Sequence, residues 1–414
     1  MAKRPAKLIV MFLILGAFLS CNSVKPLGSG PFKVQIPWAE RGQDYSLQNV
    51  EIHTLKNPVG MEGDAAKIRV NQKTDEKPPE AHFTQIGDGV IVPNDSMSAQ
   101  LFAVYAHMER LFFLEVELGI SHLIPRPRLV SIDSKVLDGA ENKAILDNAT
   151  FVGSLDLLAI MPLSSNSLPI TMNGGVLAHE QFHGIFYHLV LKGLPQSDLK
   201  HWAQVRDEWG HDHSDFSSEL KILKEKTSKA ETSNSNLLLS ADVTANQTYN
   251  NTFILQALNE GFADYWGWLY SGDNNFIVRS IPVANNQRVI LNRAQALPTD
   301  VELDQLMSKG SAQNPQELVY FLGTHYASIM RNLSETEGRL PTAKLLVSSL
   351  KNLKSHWETL DHRQKVSSGI IFDILFPKGQ KMTPSQCCVV RQALGAMATS
   401  GYSKRCESLQ GQCN

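Results

Sequence analysis

The sequence predicts an α+β fold, with a sheet-plus-helix lobe first, a buried helix bearing a candidate site next, and a mainly helical lobe at the end. Three patterns carry this expectation. Residues 127–163 alternate or run apolar between turn-forming clusters, as strands of one sheet do. Two stretches, from Ser96 and from Val176, repeat apolar residues at helical spacing. From about residue 300 the chain reads helical up to a cysteine-rich tail. A length of 414 residues with 43% hydrophobic content suits one elaborated domain or a few smaller ones, and a buried core is expected. With 39 basic and 41 acidic residues the net charge is -2, too balanced a field to favour nucleic acid.

The chain opens with "MAKRPAKLIVMFLILGAFLSC", in which Lys3, Arg4 and Lys7 precede an apolar run from Leu8 to Leu19. That run has the length of a secretory core and is short for a membrane span. Its end, "AFLSC", resembles a bacterial lipobox with Phe18 where Leu is usual. The resemblance implies removal of the leader in residues 1–21, a lipid on Cys21, and an exported protein anchored in a bacterial cell envelope. Ordinary cleavage and an uncleaved anchor are the alternatives. Residues 22–85 are rich in Pro, Gly and charge with short apolar runs, "FKVQI" and "AKIRV", and read as a tether plus a small β-rich region.

From Ser96 to Leu118, Leu101, Val104, Tyr105, Met108, Leu111 and Phe112 recur at helical spacing, with Ser96 as cap and Gly119 as stop. The strands of 127–163 follow. Val176 to Leu191 is apolar on most sides and reads as a buried helix ending near Gly193. Residues 194–250 turn polar, as an insertion would, and a further apolar helix begins near Phe253. Four cysteines, Cys387, Cys388, Cys406 and Cys413, lie close together at the end and suggest two disulfides in an oxidising compartment. A bond between neighbours is strained, so Cys387 and Cys388 should each reach Cys406 or Cys413. A metal site from these four lacks C-x-x-C spacing.

Within the buried helix stands "HEQFH". Residues four apart on a helix share a face, so His179 and His183 can direct ring nitrogens at one ion. Glu180 lies about 100° round, where a carboxylate can take a proton from a metal-bound water. By chance such a pattern arises in roughly one chain in fifty of this composition, so a third ligand is needed. His188 points to another face, as an ordinary helix-end histidine would, and His211 and His213 sit in the polar insertion. "NEGFADYWGW", residues 259–268, is the better source: Glu260 would complete a two-histidine, one-glutamate set with a position left for water, and Asp264 could accept a ligand's N–H. An ordinary acidic helix face is the bland alternative.

These motifs resemble those of the gluzincin zinc metallopeptidases of the thermolysin and fungalysin type. The resemblance implies Zn²⁺ on His179, His183 and Glu260, Glu180 as general base, Asp264 orienting the first histidine, and a zincin-like fold over residues 86–335. "NATFVGSLDLLAIMPL" resembles the family's edge strand, which implies that Asn148 and the Ala149 backbone bind peptide by strand addition. "VYFLGTHYASIM" resembles the fungalysin-type oxyanion segment, in which a histidine stands three residues before glycine; Tyr320 stands at that position here, which gives it that role by resemblance, with His325 and Tyr326 behind it. The sequence departs from the compact members in the some 76 residues between His183 and Glu260, and from the aminopeptidases in lacking G-x-M-E-N. Residues 336–414 then form a helical C-terminal region. The expected function is a zinc endopeptidase acting on exported or extracellular proteins. The alternatives are an aminopeptidase, a narrow processing peptidase and a non-catalytic metal-containing binding lipoprotein.

Overall fold

The computed structural model describes residues 30–70, 79–135, 145–164, 167–194, 241–281, 290, 296–308, 315–360, 365–395 and 406. The leader with Cys21, His211 and His213, and most of the expected insertion lie outside these residues. The architecture is mixed, with sheets and one long helix in the N-terminal part and helices in the C-terminal part, as the patterning predicts.

Strands β1 (Phe32–Trp38), β2 (Ser46–Ile52), β6 (Phe83–Ile86) and β7 (Val90–Pro93) make a four-stranded sheet in the order β2-β1-β7-β6. Strands β3 (Leu55–Asn57), β4 (Glu62–Gly63), β5 (Ala66–Val70), β8 (Arg128–Ile132), β9 (Ala149–Val152) and β10 (Leu157–Ile160) make a second, ordered β3-β4-β5-β8-β10-β9. The boundary expected between residues 85 and 86 has no counterpart in these sheets. β1 pairs in parallel with β7, and β5 with β8, so the β-rich region supplies central strands to both sheets. The physical reason is that "FKVQI" and "AKIRV" each bury one face, which a free tether could not do.

Helix α1 (Ser96–Glu117) buries Leu101, Val104, Tyr105, Met108 and Leu111 as its spacing predicts. Its cap is Asp95, one residue earlier than expected, because the Asp95 carboxylate accepts from Ser98 N at 2.7 Å. Gly119, at φ 72°, ends it. Helix α2 (Gly174–Phe186) continues into a π-helical turn, Tyr187–Leu191, before Gly193. Helix α3 (Ala241–Ser271) starts well before Phe253, so residues 241–250 belong to it and not to the insertion. Polar residues there hid the helix from a search for apolar spacing. After α4 (Phe276–Ser280) come α5 (Asp300–Ser308), α6 (Pro315–Glu337), α7 (Arg339–Thr359), α8 (Ile370–Leu375) and α9 (Pro384–Leu394). The 335/336 boundary falls in the last turn of α6, and α7 and α9 both pack on α6.

One apolar cluster runs from β1 and β5 through α1 and α2 to α3, α6 and α9. Phe182, Phe186, Phe262 and Trp266 are fully buried between α2 and its neighbours. Burying each such side chain contributes about 1.5–3 kcal/mol or more relative to exposure. No described helix is long and apolar enough to cross a membrane.

Cys387 is bonded to Cys406, one of the two partners expected for it. Cys388 is also disulfide-bonded, to a partner outside the described residues. The Cys387–Cys406 bond closes a separation of 19 residues. Replacing both cysteines by serine should lower stability by roughly 3 kcal/mol on the chain-entropy argument, read as a fall in the midpoint of thermal unfolding.

Candidate metal centre

The site is built by two helices, α2 and α3, and local sequence fixes the start of the first. Asn173 caps α2, its side-chain oxygen accepting from Gly175 N and Val176 N at 3.1 and 3.3 Å. The same side chain donates to Phe276 O and Ser280 Oγ at 2.7 and 2.8 Å, which ties the start of α2 to α4. Eight residues after Asn173, Gln181 donates to Glu115 of α1, which also accepts from Arg126. These buried contacts hold the helix from the sheet side.

On the opposite side α3 brings Asn259, Glu260 and Asp264 to the two histidines. His179 Nε2 and His183 Nε2 face each other at 3.1 Å. Glu260 Oε2 lies 3.6 Å from His179 Nε2, and Glu260 Oε1 lies 3.6 Å from His183 Nε2. A tetrahedral ion with bonds of about 2.0–2.2 Å holds its ligand atoms about 3.3–3.6 Å apart. The three separations bracket that range.

The far sides of both rings support the same reading. Asp264 Oδ1 lies 3.0 Å from His179 Nδ1, and His183 Nδ1 donates to Asn259 Oδ1 at 3.1 Å. A carboxylate and an amide oxygen both favour the proton on Nδ1, which leaves Nε2 as the lone-pair donor of each ring. Two lone pairs directed at one small space suit a cation. His179, Glu180 and His183 form a cluster able to hold a metal ion.

Two carboxylates compete for the third ligand position. Glu180 Oε1 is 3.9 Å from His179 Nε2, whereas Glu260 approaches both histidines at the shorter distance. Glu260 is thus the nearer carboxylate to the two ring nitrogens, with Glu180 beside it in the cluster. All four side chains are at most about a tenth exposed, so charges there interact strongly.

Glu260 owes its position to a close crossing of α3 and α6. A Cβ built on Gly261 would lie 2.4 Å from Gly323 O, and one on Gly323 would lie 3.4 Å from Glu260 Cβ. Gly261→Ala should therefore push the helices apart and cost about 1–3 kcal/mol. It should also weaken metal binding, measured by chelator competition on the folded variant.

Tyr320 lies one turn before Gly323 on α6 and is half-buried, so the crossing puts it on the stretch of helix that passes Glu260. The two residues held behind it go elsewhere. Tyr326 donates its hydroxyl to Ser368 O at 2.9 Å inside the core. His325 donates Nδ1 to Phe321 O at 2.9 Å and lines a separate cleft with Pro298, Leu306 and Phe321. Burial holds its pKa below the usual histidine value.

β9 is the last strand of its sheet among the described residues, as the edge-strand motif implies. Asn148 O accepts from Met161 N, so the Ala149 N–H turns away from β10; it donates to Asn148 Oδ1 at 2.9 Å. Ala149 is 1% exposed. A peptide could pair there only once the Asn148 side chain turns aside, a step the motif did not foresee.

Asn259 is the functional contact that sequence reasoning passed over, although it stands directly before Glu260 in the quoted motif. His188 meets Asp156 Oδ1 at 3.1 Å, away from the metal cluster, as its different helix face predicts.

No protein-family model matches the chain, and no curated protein matches it. The functional reading therefore stands on the site itself.

Proposed function

We propose that this protein is a zinc-dependent peptidase, with His179, His183 and Glu260 as ligands and Glu180 as general base. The observation that carries the proposal is the pairing of a ligand set spread over two helices with a second buried carboxylate beside it. Storage or transport of a metal gives Glu180 no task; hydrolysis does. Two imidazoles and one carboxylate are the donors of hydrolytic zinc sites that keep one position open.

A zinc ion held there would supply Lewis acidity, lowering the pKa of a coordinated water to about 7. Glu180 takes the proton of the attacking water on a carboxylate oxygen and passes it to the leaving amine nitrogen. Asp264 and Asn259 keep the ring protons on Nδ1 of His179 and His183 and so fix both ring orientations. Tyr320 donates its hydroxyl to the carbonyl oxygen as negative charge develops. Asn148 and Ala149 align an extended peptide along β9 once the Asn148 side chain has turned aside. We assign the reaction to internal peptide bonds of exported or extracellular proteins, with the chain held at a bacterial envelope by a lipid on Cys21.

The test is hydrolysis of a mixed quenched-peptide pool by the detergent-solubilised full chain, with products identified by mass. Internal cuts that disappear in Glu180→Gln are expected. Residue-by-residue trimming would move the assignment to an exopeptidase, and no turnover by folded, zinc-loaded protein would count against the peptidase reading.

A further inference from the structure

The far end of α2 is fastened to the sheet by one ionic junction that the proposed reaction does not use. Asp156, in the turn between β9 and β10 at φ 49°, accepts from Arg128 Nη1 and lies 3.1 Å from His188 Nε2. Arg128 is 3% exposed. Its guanidinium lies against Gly184, where a Cβ would come within 2.1 Å of Nη2. It also sits 5.2 Å over the Phe151 ring, which meets Tyr187 at 6.0 Å. Burial opposes ionisation of Asp156, yet the His188 contact and the Arg128 charge outweigh it and hold its carboxyl below the usual value.

Gly184 directly follows the ligand His183, and Gly184 and His188, four apart, share one helix face. The junction thus grips the last turn of α2 and the π-helical turn that continues it, on a face beside the one that bears the ligands. Metal ligation tolerates displacements of only about 0.2 Å per ligand. His183 must stay within reach of Glu260, which is carried by a different helix, so the seating of this turn decides whether the set closes.

We propose that Asp156 is a positioning residue for the metal centre: by holding Arg128 against Gly184 and engaging His188, it seats the helical turn that carries His183. The inference rests on the ligand set assigned above and adds to it a control point on a neighbouring face of the helix, reached through Arg128 rather than through any ligand. Asp156 touches none of His179, His183 or Glu260 in the contacts found for it. Its loss acts on metal binding through the backbone of α2.

The experiment is Zn²⁺ affinity of the full chain by competition with a chromophoric chelator, with thermal unfolding recorded for each variant. Asp156→Asn should raise the zinc Kd about ten-fold or more, and Asp156→Glu should recover most of the loss. The paired change Arg128→Met with Asp156→Leu removes the stranded charge. It should regain thermal stability without regaining zinc affinity, and it decides the matter if Asp156→Asn does not fold. Unchanged affinity in folded Asp156→Asn would overturn the proposal. So would recovery of affinity together with stability in the paired variant, since the junction would then only neutralise a buried charge. A wild-type chain that binds no zinc would overturn the ligand assignment and this inference with it, whereas tight wild-type binding that the variants share would overturn the inference alone.

Discussion

Glu180→Gln is expected to cut peptide hydrolysis by about 10²–10⁴ while zinc affinity changes by no more than about two-fold, because a positioned general base contributes that much and is not a ligand. The amide keeps the size of the carboxylate and its hydrogen-bonding reach but cannot take the proton of water. The geometry makes the second half of the expectation the sharper one. Glu180 stands 3.9 Å from His179 Nε2, further than Glu260 stands from either histidine. Turnover and zinc titration on the same preparation check both halves. A variant that loses zinc and activity together would make Glu180 a ligand and exchange the roles of the two glutamates.

Glu260→Gln should give the opposite pattern, with zinc affinity falling by more than the roughly 10–100-fold that loss of an outer contact costs. Asp264→Asn and Asn259→Ala should lie within that smaller range, since each holds a ring proton and leaves the ligand atoms in place. The ordering is physical. Removing Glu260 takes away one of three donors and leaves two imidazoles facing each other at 3.1 Å. Activity lost in Glu260→Gln should return in part at raised zinc concentration, whereas Glu180→Gln should not respond to added metal. Full affinity in Glu260→Gln would remove Glu260 from the set.

Much of the site was legible because its chemistry sits at fixed helical intervals. His179 and His183, and Glu260 and Asp264, are each four apart, and that spacing alone puts each pair on one face of its helix. What spacing cannot tell is how two helices meet. The close crossing at Gly261 and Gly323 sets how near Glu260 comes to the two histidines, and nothing in the sequence around Gly323 announces a partner some sixty residues earlier. Asn259 was overlooked for the same reason, since its role depends on which ring faces it across the interface.

In the fold, α1 and the strands of 127–163 follow their apolar patterns because one face of each is buried against the same core. The β-rich start was harder to place. β1 and β5 are short and bounded by Pro, Gly and charge, and their neighbours β7 and β8 come much later in the chain. Parallel pairing of that kind leaves no local signal, unlike a hairpin with its turn. The first turns of α3 were lost in polar sequence, where tertiary packing further along the helix decides what propensity alone does not.

The most direct measurement of the central claim is a crystal structure of the zinc-loaded full chain with anomalous data at the zinc edge. The account expects one peak about 2.0–2.2 Å from His179 Nε2, His183 Nε2 and a Glu260 oxygen, with Glu180 outside bonding distance. A peak bonded to Glu180 in place of Glu260, or zinc bound only elsewhere on the chain, would contradict it.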